Sequence, residues 1–339
     1  MFDRERKAWS YALDRINGMN ITDNVVEFMA AKTLKLPEET QRVLKLAACF
    51  GNQFDLDVLV TINERSESET EKELQPALAE GLTLPHSGFG FKFAHDRIQQ
   101  AVYSLIPEGD RNANHFKIGR LLLHGVDESE PDEHLFDIVN QLNWGVKLLE
   151  DDKQRRELCE LNLKAGIKAK ESSAFKVAYD YFVAGIELLG EDPWKNQYQS
   201  TLQLHALAGE TAYLNGDFDR MNEMIGLVID KAENLLEKVK SYEIRILAFK
   251  AENKLIDAIN TGLDLLGQLG KKFPKKPSMP HVMGALVKSK IQLRGKSNED
   301  LAVLPAMTDP EKIAAMRIIA DIASSSYWAT PTLFPLLIF

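Results

Sequence analysis

Residues 82–107, LTLPHSGFGFKFAHDRIQQAVYSLIP, change their apolar period in the middle. Leu82 to Leu84, the turn-forming PHSG and the strict alternation of Phe89, Phe91 and Phe93 spell a β-hairpin, because successive side chains on a strand point to opposite faces. From Ile98 onward Ala101, Val102 and Leu105 fall at helical spacing instead, and Pro107 stops the run. Upstream, the helical period recurs three times. Pro37 opens a helix with Val43, Leu44, Ala47 and Ala48 on one face, and Gly51 ends it. Asp55 is placed to cap a short helix through Leu56, Leu59 and Val60. Ser66 and Glu69 have the spacing of a capping box for the next, whose stripe is Leu74, Ala77 and Leu78 and whose end is Gly81. Three helices, a hairpin and a helix predict a winged-helix-like domain over residues 36–106. Residues 1–35 add a strand-like alternation of Trp9, Tyr11 and Leu13, with no evident partner strand. A helix follows, capped by Thr22 or Asp23, through Val25, Val26 and Met29.

Beyond residue 107 the sheet signal ends. Residues 107–155 read as connecting helices, with Ile118, Leu121 and Leu122, then Ile138, Val139 and Leu142, at helical spacing. Residues 156–270 are self-similar. KAKESSAFKVAYDYFVAGIELL, ETAYLNGDFDRMNEMIGLVIDKA and AFKAENKLIDAINTGLDLL each join a small-residue helix to a second helix, with Phe175, Phe218 and Ile256 in equivalent places at spacings of 43 and 38. Helix-pair solenoids repeat on this scale. The predicted fold is therefore mainly α, a winged-helix-like domain with a small β-hairpin followed by a tetratricopeptide-like α-helical solenoid. Phe175 and Phe218 are expected to be buried. Residues 271–339 form a basic linker and a further, truncated helical repeat. Residues 271–296 hold seven lysines and Arg294 with no acid, a local charge of +8 in a chain of net −9. The run PTLFPLLIF at the C-terminus is expected to be a truncation point.

Composition excludes several classes. Hydrophobic residues at 45% and charged residues at 27% suit a folded chain of more than one domain. The two cysteines, Cys49 and Cys159, stand apart inside helical patterns, so neither a disulfide framework nor a zinc knuckle is expected. No leader or 18-residue apolar run is present, which predicts a cytoplasmic protein without a membrane span. None of the seven histidines falls in a metal-ligand spacing. Two glycine decoys fail as phosphate cradles. Gln268 stands where GLDLLGQ would need lysine, and Phe93 stands where the last glycine of GFGFKF would be. No nucleophile elbow or acid pair points to an enzyme, although a site assembled from scattered residues leaves no linear signal. DNA reading is disfavoured because residues 66–80 hold five glutamates against one lysine where a recognition helix would meet phosphates, and the wing offers only Lys92. The basic island has two readings, a solvated linker or a contact for anionic lipid, nucleic acid or an acidic surface.

Five collinear stretches, NITDNVVEFM, LPEETQRVLKLAACFGNQFDLDVL, FKFAHDRIQQAVYSLIP, FDIVNQLNWG and MTDPEKIAAMRI, together resemble the middle region of bacterial hybrid signalling proteins. These join a serine/threonine-kinase-like domain, an AAA/STAND ATPase, helical repeats, a GAF sensor and often a histidine kinase. The resemblance covers nearly the whole chain. It implies that residues 1–35 are the tail of the ATPase module, 36–106 its winged helix and 156 onward the repeats ahead of the GAF domain. The Walker motifs, and the GAF and kinase modules, would lie outside the chain. This chain would then hold no cofactor and catalyse nothing, ATP and ADP belonging to the parent family. Its partners would be the ATPase core and GAF/kinase modules of the same or a split protein, and proteins on the repeat surface. The resemblance also implies a nucleotide-sensing role for His95 and Asp96. STAND ATPases place a His-Asp pair at this strand-to-helix junction, where the histidine reaches the ADP phosphates of the resting state. Ala94 departs from the methionine frequent before that pair in plant relatives. The structural reading of the same residues is a helix cap at Asp96, with His95 bonding a nearby carbonyl. A repressor-like DNA-binding regulator and a free-standing tetratricopeptide adaptor are the alternatives.

Overall fold

The computed structural model describes residues 2–3, 8–9, 21–86, 88, 90–125, 134–274, 277–297, 300 and 303–339. It is mainly helical, and the chain divides into two compact units, Met1–Gln154 and Arg155–Phe339.

In the first unit β1 (Phe2–Asp3) pairs antiparallel with β2 (Ala8–Trp9), which supplies the partner strand that the sequence left open; Tyr11 and Leu13 lie outside the described residues. Helix α1 (Ile21–Thr33) starts ahead of Thr22 and Asp23, so neither precedes it as a cap. Next come α2 (Glu38–Ala48), β3 (Gln53–Asp55), α3 (Leu56–Asn63), α4 (Glu67–Ala79), β4 (Thr83–Pro85), β5 (Gly90–Phe93) and α5 (Asp96–Ser104). Strands β3, β5 and β4 form an antiparallel sheet in that order. The hairpin is where the alternation puts it, but β3 was not foreseen, because three residues are too few to show a period. Asp55 does precede α3, yet its side chain makes no capping bond. Both halves of the Ser66–Glu69 capping box are formed.

The sheet register explains the glycines and aromatics. Phe54 pairs with Phe91 and its ring also meets Phe93 at 5.6 Å between centroids. Gly90 pairs with Asp55, and a Cβ on it would lie 2.8 Å from the Asp55 carboxylate, which would have to swing aside to admit one. Phe93, Leu44, Leu59 and Leu74 are buried to 1% exposure or less and form the centre of this core, each contributing about 1.5–3 kcal/mol of transfer free energy. Helix α5 packs on α1 and α2, and α6 (Glu108–Gly125) packs on α7 (Leu135–Trp144) and α3. Glu73 ties three helices together. It pairs with Arg42 of α2 at 3.0 Å, accepts from Asn63 of α3 at 3.0 Å, and its carbonyl accepts from Thr40 at 2.7 Å.

The second unit is built from helix hairpins. Helix α8 (Asp152–Glu171) turns into α9 (Phe175–Glu187), and a short α10 (Pro193–Asn196) leads to α11 (Tyr198–Leu214) and α12 (Phe218–Lys231). Then come α13 (Leu235–Ala251) and α14 (Leu255–Gln268). One turn joins all three pairs. Ser173, Gly216 and Asn253 take φ of 61°, 78° and 59°, and the next amides, of Ala174, Asp217 and Lys254, donate to the carbonyls of Ala169, Ala212 and Phe249. This is the left-handed cap that closes a helix by a six-to-one bond; glycine adopts it without strain at Gly216, whereas serine and asparagine take it at some cost.

The second helices begin at Phe175, Phe218 and Leu255, so the third repeat starts one residue before the predicted Ile256. Ile256 is 52% exposed, and the buried set recurs from Leu255 at Ala258, Ile259 and Gly262. Phe175 and Phe218 are equivalent as predicted, but half-buried rather than buried, because each sits at a helix entrance while the residues three and seven positions on face inward. Packing inside the hairpins is complementary in size. A Cβ on Gly166 would lie 2.4 Å from the Phe182 ring, and one on Gly209 would lie 2.4 Å from Ile225. In the third hairpin the equivalent positions hold Ile246 on α13 and Gly262 on α14, and Gly262 is closed over instead by Ile322, 2.5 Å from where its Cβ would lie.

Beyond these lie α15 (Met279–Leu293), α16 (Pro310–Ala329) and α17 (Phe334–Ile338). Helix α16 packs on α13 and α14, and Ile318, Ile322, Leu333 and Leu337 complete one apolar cluster with Ile246, Leu265 and Leu266.

Candidate functional site

The predicted pair lies at the junction of β5 and α5. Phe93 is 1% exposed and the Ala94 amide donates to the Leu82 carbonyl at 2.9 Å, which fixes the strand end. His95, not Asp96, is the helix cap. Its backbone is extended, and its Nδ1 accepts the Arg97 amide at 3.1 Å. Asp96 is the first helical residue, and both side chains are exposed. An accepting Nδ1 puts the proton of the neutral ring on Nε2, leaving an N–H donor at the outer edge of the imidazole. Gln99 secures the helix from the other side, its amide donating to the Ala48 carbonyl at 2.7 Å. The junction can therefore present one imidazole donor at a helix N-terminus, the kind of place that suits an anionic oxygen.

A second polar arrangement in the first unit left no sequence signal. Tyr103 on α5, His115 on α6 and Gln141 on α7 form a chain of contacts, Tyr103 Oη to His115 Nε2 at 3.0 Å and His115 Nδ1 to Gln141 Oε1 at 2.6 Å. Gln141 Nε2 donates to the Cys49 carbonyl at 3.0 Å. Because that amide nitrogen is spent on a carbonyl, the amide oxygen accepts from His115 Nδ1–H, and Nε2 accepts from the tyrosine. Trp144 stacks on His115 at 5.4 Å. Outside this chain lies an open hollow of about 560 Å³ lined by Cys49, Phe50, Asn112, Asp137, Gln141 and Trp144, among others. Burial raises the Asp137 carboxyl above its ordinary range against the opposing pull of His134. Burial also pushes the Cys49 thiol up to about 12 and the Cys159 thiol up to about 11, so both are protonated and unreactive at neutral pH.

In the second unit the first helices of successive hairpins are joined by charge. Glu210 on α11 pairs with Lys170 on α8 at 2.7 Å and Lys240 on α13 at 3.1 Å. Glu243 on α13 pairs with Arg317 on α16 at 2.6 Å, and Lys250 donates to the Asp321 carbonyl at 3.0 Å. Burial alone would raise Glu210, but hydrogen bonds from the two lysines outweigh it and hold the carboxyl below its usual range. At Glu243 burial wins over Arg317, and the carboxyl is raised. Partners as far apart in sequence as Lys170 and Glu210, or Glu243 and Arg317, are invisible to local patterning. Among the described residues no cluster of histidine, cysteine and carboxylate side chains suits a metal ion, and no helix is long and apolar enough to cross a membrane.

No family model matches the chain, and no solved structure matches it. It is similar to the hybrid signal transduction histidine kinase G of Dictyostelium discoideum, with 26% identity over 353 aligned positions. The alignment covers 81% of this chain and 10% of that protein, so the chain spans about a tenth of its relative's length. The similarity supports a signalling-related role.

Proposed function

We propose that the chain is a non-catalytic regulatory and interaction segment of a signal-transduction ATPase of the hybrid sensor-kinase type. In this reading α2 to α5, residues 36–106, form a winged helix that restrains an ATPase core, and the hairpins of the second unit are tetratricopeptide-like repeats that contact other modules or proteins. ATP and ADP belong to the core, and His95, with Asp96 beside it, reports the bound nucleotide. The carrying observation is the order of elements. A three-helix, three-strand body with sheet order β3-β5-β4 precedes three hairpins closed by one left-handed turn, in a chain that aligns over 81% of its length with part of a hybrid kinase. Helix α4 argues against DNA recognition. Its Glu67, Glu69 and Glu71 are exposed, and such a face is repelled by phosphates.

Two measurements on the isolated chain test this: calorimetric titration with ATP and ADP, and a mobility-shift assay with duplex DNA at low salt. The expected results are no nucleotide binding and no shift. Micromolar ATP affinity, or a low-salt DNA complex, would overturn the reading.

A further inference from the structure

Helix α15 stands in the middle of the basic island, and the second unit buries only Val282 of it. Met279, Met283, Val287 and Ile291, spaced by four, run along its outer side with exposures of 62%, 52%, 52% and 67%. Residues at this spacing lie one above another on a helix, so they form a continuous apolar line. Lys290, three residues beyond Val287, flanks one edge and Lys288 the other; Arg294 follows at the C-terminal cap of the helix, and all three are exposed. The apolar exposure continues past the helix at Val303 and Leu304, at 80% and 58%. Residues 271–296 contain no acid, whereas the chain as a whole is net −9.

We propose that α15 is an interfacial helix that seats this unit on an anionic lipid surface, its apolar line entering the headgroup boundary and its lysines and Arg294 meeting lipid phosphates. The inference does not rest on the regulatory reading above. Charge complementarity selects the occupant, since a segment of +8 with no acid seeks an anionic surface. A bilayer interface asks for a line of apolar chains edged by cations. A protein partner asks for aromatic anchors, and the line holds none. Acids more than about 8 Å from the surface are screened at physiological salt and oppose binding weakly. The same asymmetry orients the molecule with α15 toward the lipid.

The test is flotation of the full chain with vesicles of phosphatidylcholine alone, or with about a third phosphatidylglycerol. Flotation only with the anionic vesicles, weakening as salt rises, is expected. Lys290→Gln should weaken it about fivefold, and Lys288→Glu with Lys290→Glu and Arg294→Glu should abolish it. Val287→Gln with Ile291→Gln should weaken it without changing its salt dependence. These side chains are exposed, so unchanged melting temperatures verify the fold of each variant. Equal flotation with neutral vesicles, none with anionic ones, or indifference to the triple charge reversal overturns the proposal. Retention on immobilised polyglutamate with no flotation overturns it in favour of an acidic protein partner.

Discussion

The two units reach stability by different routes. The first joins non-repeating elements, and where its helices meet it buries polar side chains that must satisfy one another, Tyr103 with His115 and Gln141 around the Cys49 carbonyl, and Asn63 with Glu73. The second repeats one left-handed turn in three hairpins, and in two of them a glycine lies close against a large residue of the paired helix. A mutation at such a glycine pair should act through volume, and one in the polar chains of the first unit through an unpaired hydrogen-bonding group. The largest expected effect is accordingly at Phe182, which is fully buried and lies over Gly166. Phe182→Ala should destabilise by about 3–5 kcal/mol in urea unfolding, while Ile256→Ala, on the exposed side of the equivalent helix, should stay within about 0.5 kcal/mol. Similar losses at the two positions would break the repeat assignment.

In the first unit Gln141 is the sensitive point. Gln141→Leu keeps the volume but leaves the Cys49 carbonyl and the His115 Nδ1–H without partners, and each lost partner of a buried polar group costs about 1–3 kcal/mol. A loss of about 2–3 kcal/mol is expected by urea unfolding, larger than that of Gln141→Glu, which keeps an oxygen toward His115. A neutral outcome for the leucine would mean that water already serves the network.

What was legible in the sequence follows the same division. The hairpin, the capping box at Ser66 and the helix starts at Phe175 and Phe218 announce themselves within a few residues, because alternation, cap spacing and helical period are local. The third repeat slipped by one residue because Leu255 and Ile256 are both aliphatic, and only burial tells the inward one from the outward one. Strand β3 was missed for its brevity. The cap at the β5–α5 junction was assigned to Asp96 on residue preference, whereas Ala94 is held to Leu82 and the helix starts one residue after His95. The Tyr103–His115–Gln141 chain and the Lys170–Glu210–Lys240 bridge join residues too far apart for any local signal.

Glu210 and Glu243 sharpen the comparison by their opposite responses to pH. The Glu210 carboxyl is held low, so the stability it lends is present above the ordinary glutamate range and is lost as pH falls through its depressed value. The Glu243 carboxyl is held high by burial, so the folded state keeps its proton longer than the unfolded chain does. Its contribution is present at acid pH and is lost as pH rises through its raised value. Thermal melts at neutral pH should therefore show Glu210→Gln lower in melting temperature and Glu243→Gln slightly higher, each by less than about 1 kcal/mol. Below the ordinary glutamate range the gain from Glu243→Gln should vanish. Shifts of the same sign in both variants would show that pairing, not burial, governs Glu243.

A small expected effect on stability belongs to the residue with the largest proposed consequence. His95 is exposed, and its side chain contributes the capping bond to the Arg97 amide. His95→Ala should cost about 0.5–1 kcal/mol by urea unfolding of the isolated chain. His95→Asn separates the two roles, because asparagine caps a helix N-terminus well but cannot place an imidazole N–H at the ring's outer edge. In a full-length parent containing the ATPase core, both variants should loosen ADP and raise basal signalling, although only the alanine weakens the helix. If His95→Asn keeps wild-type ADP affinity and output while His95→Ala does not, the cap alone explains the residue. Should both variants match the wild type in ADP affinity and basal output, nucleotide sensing at this junction is abandoned.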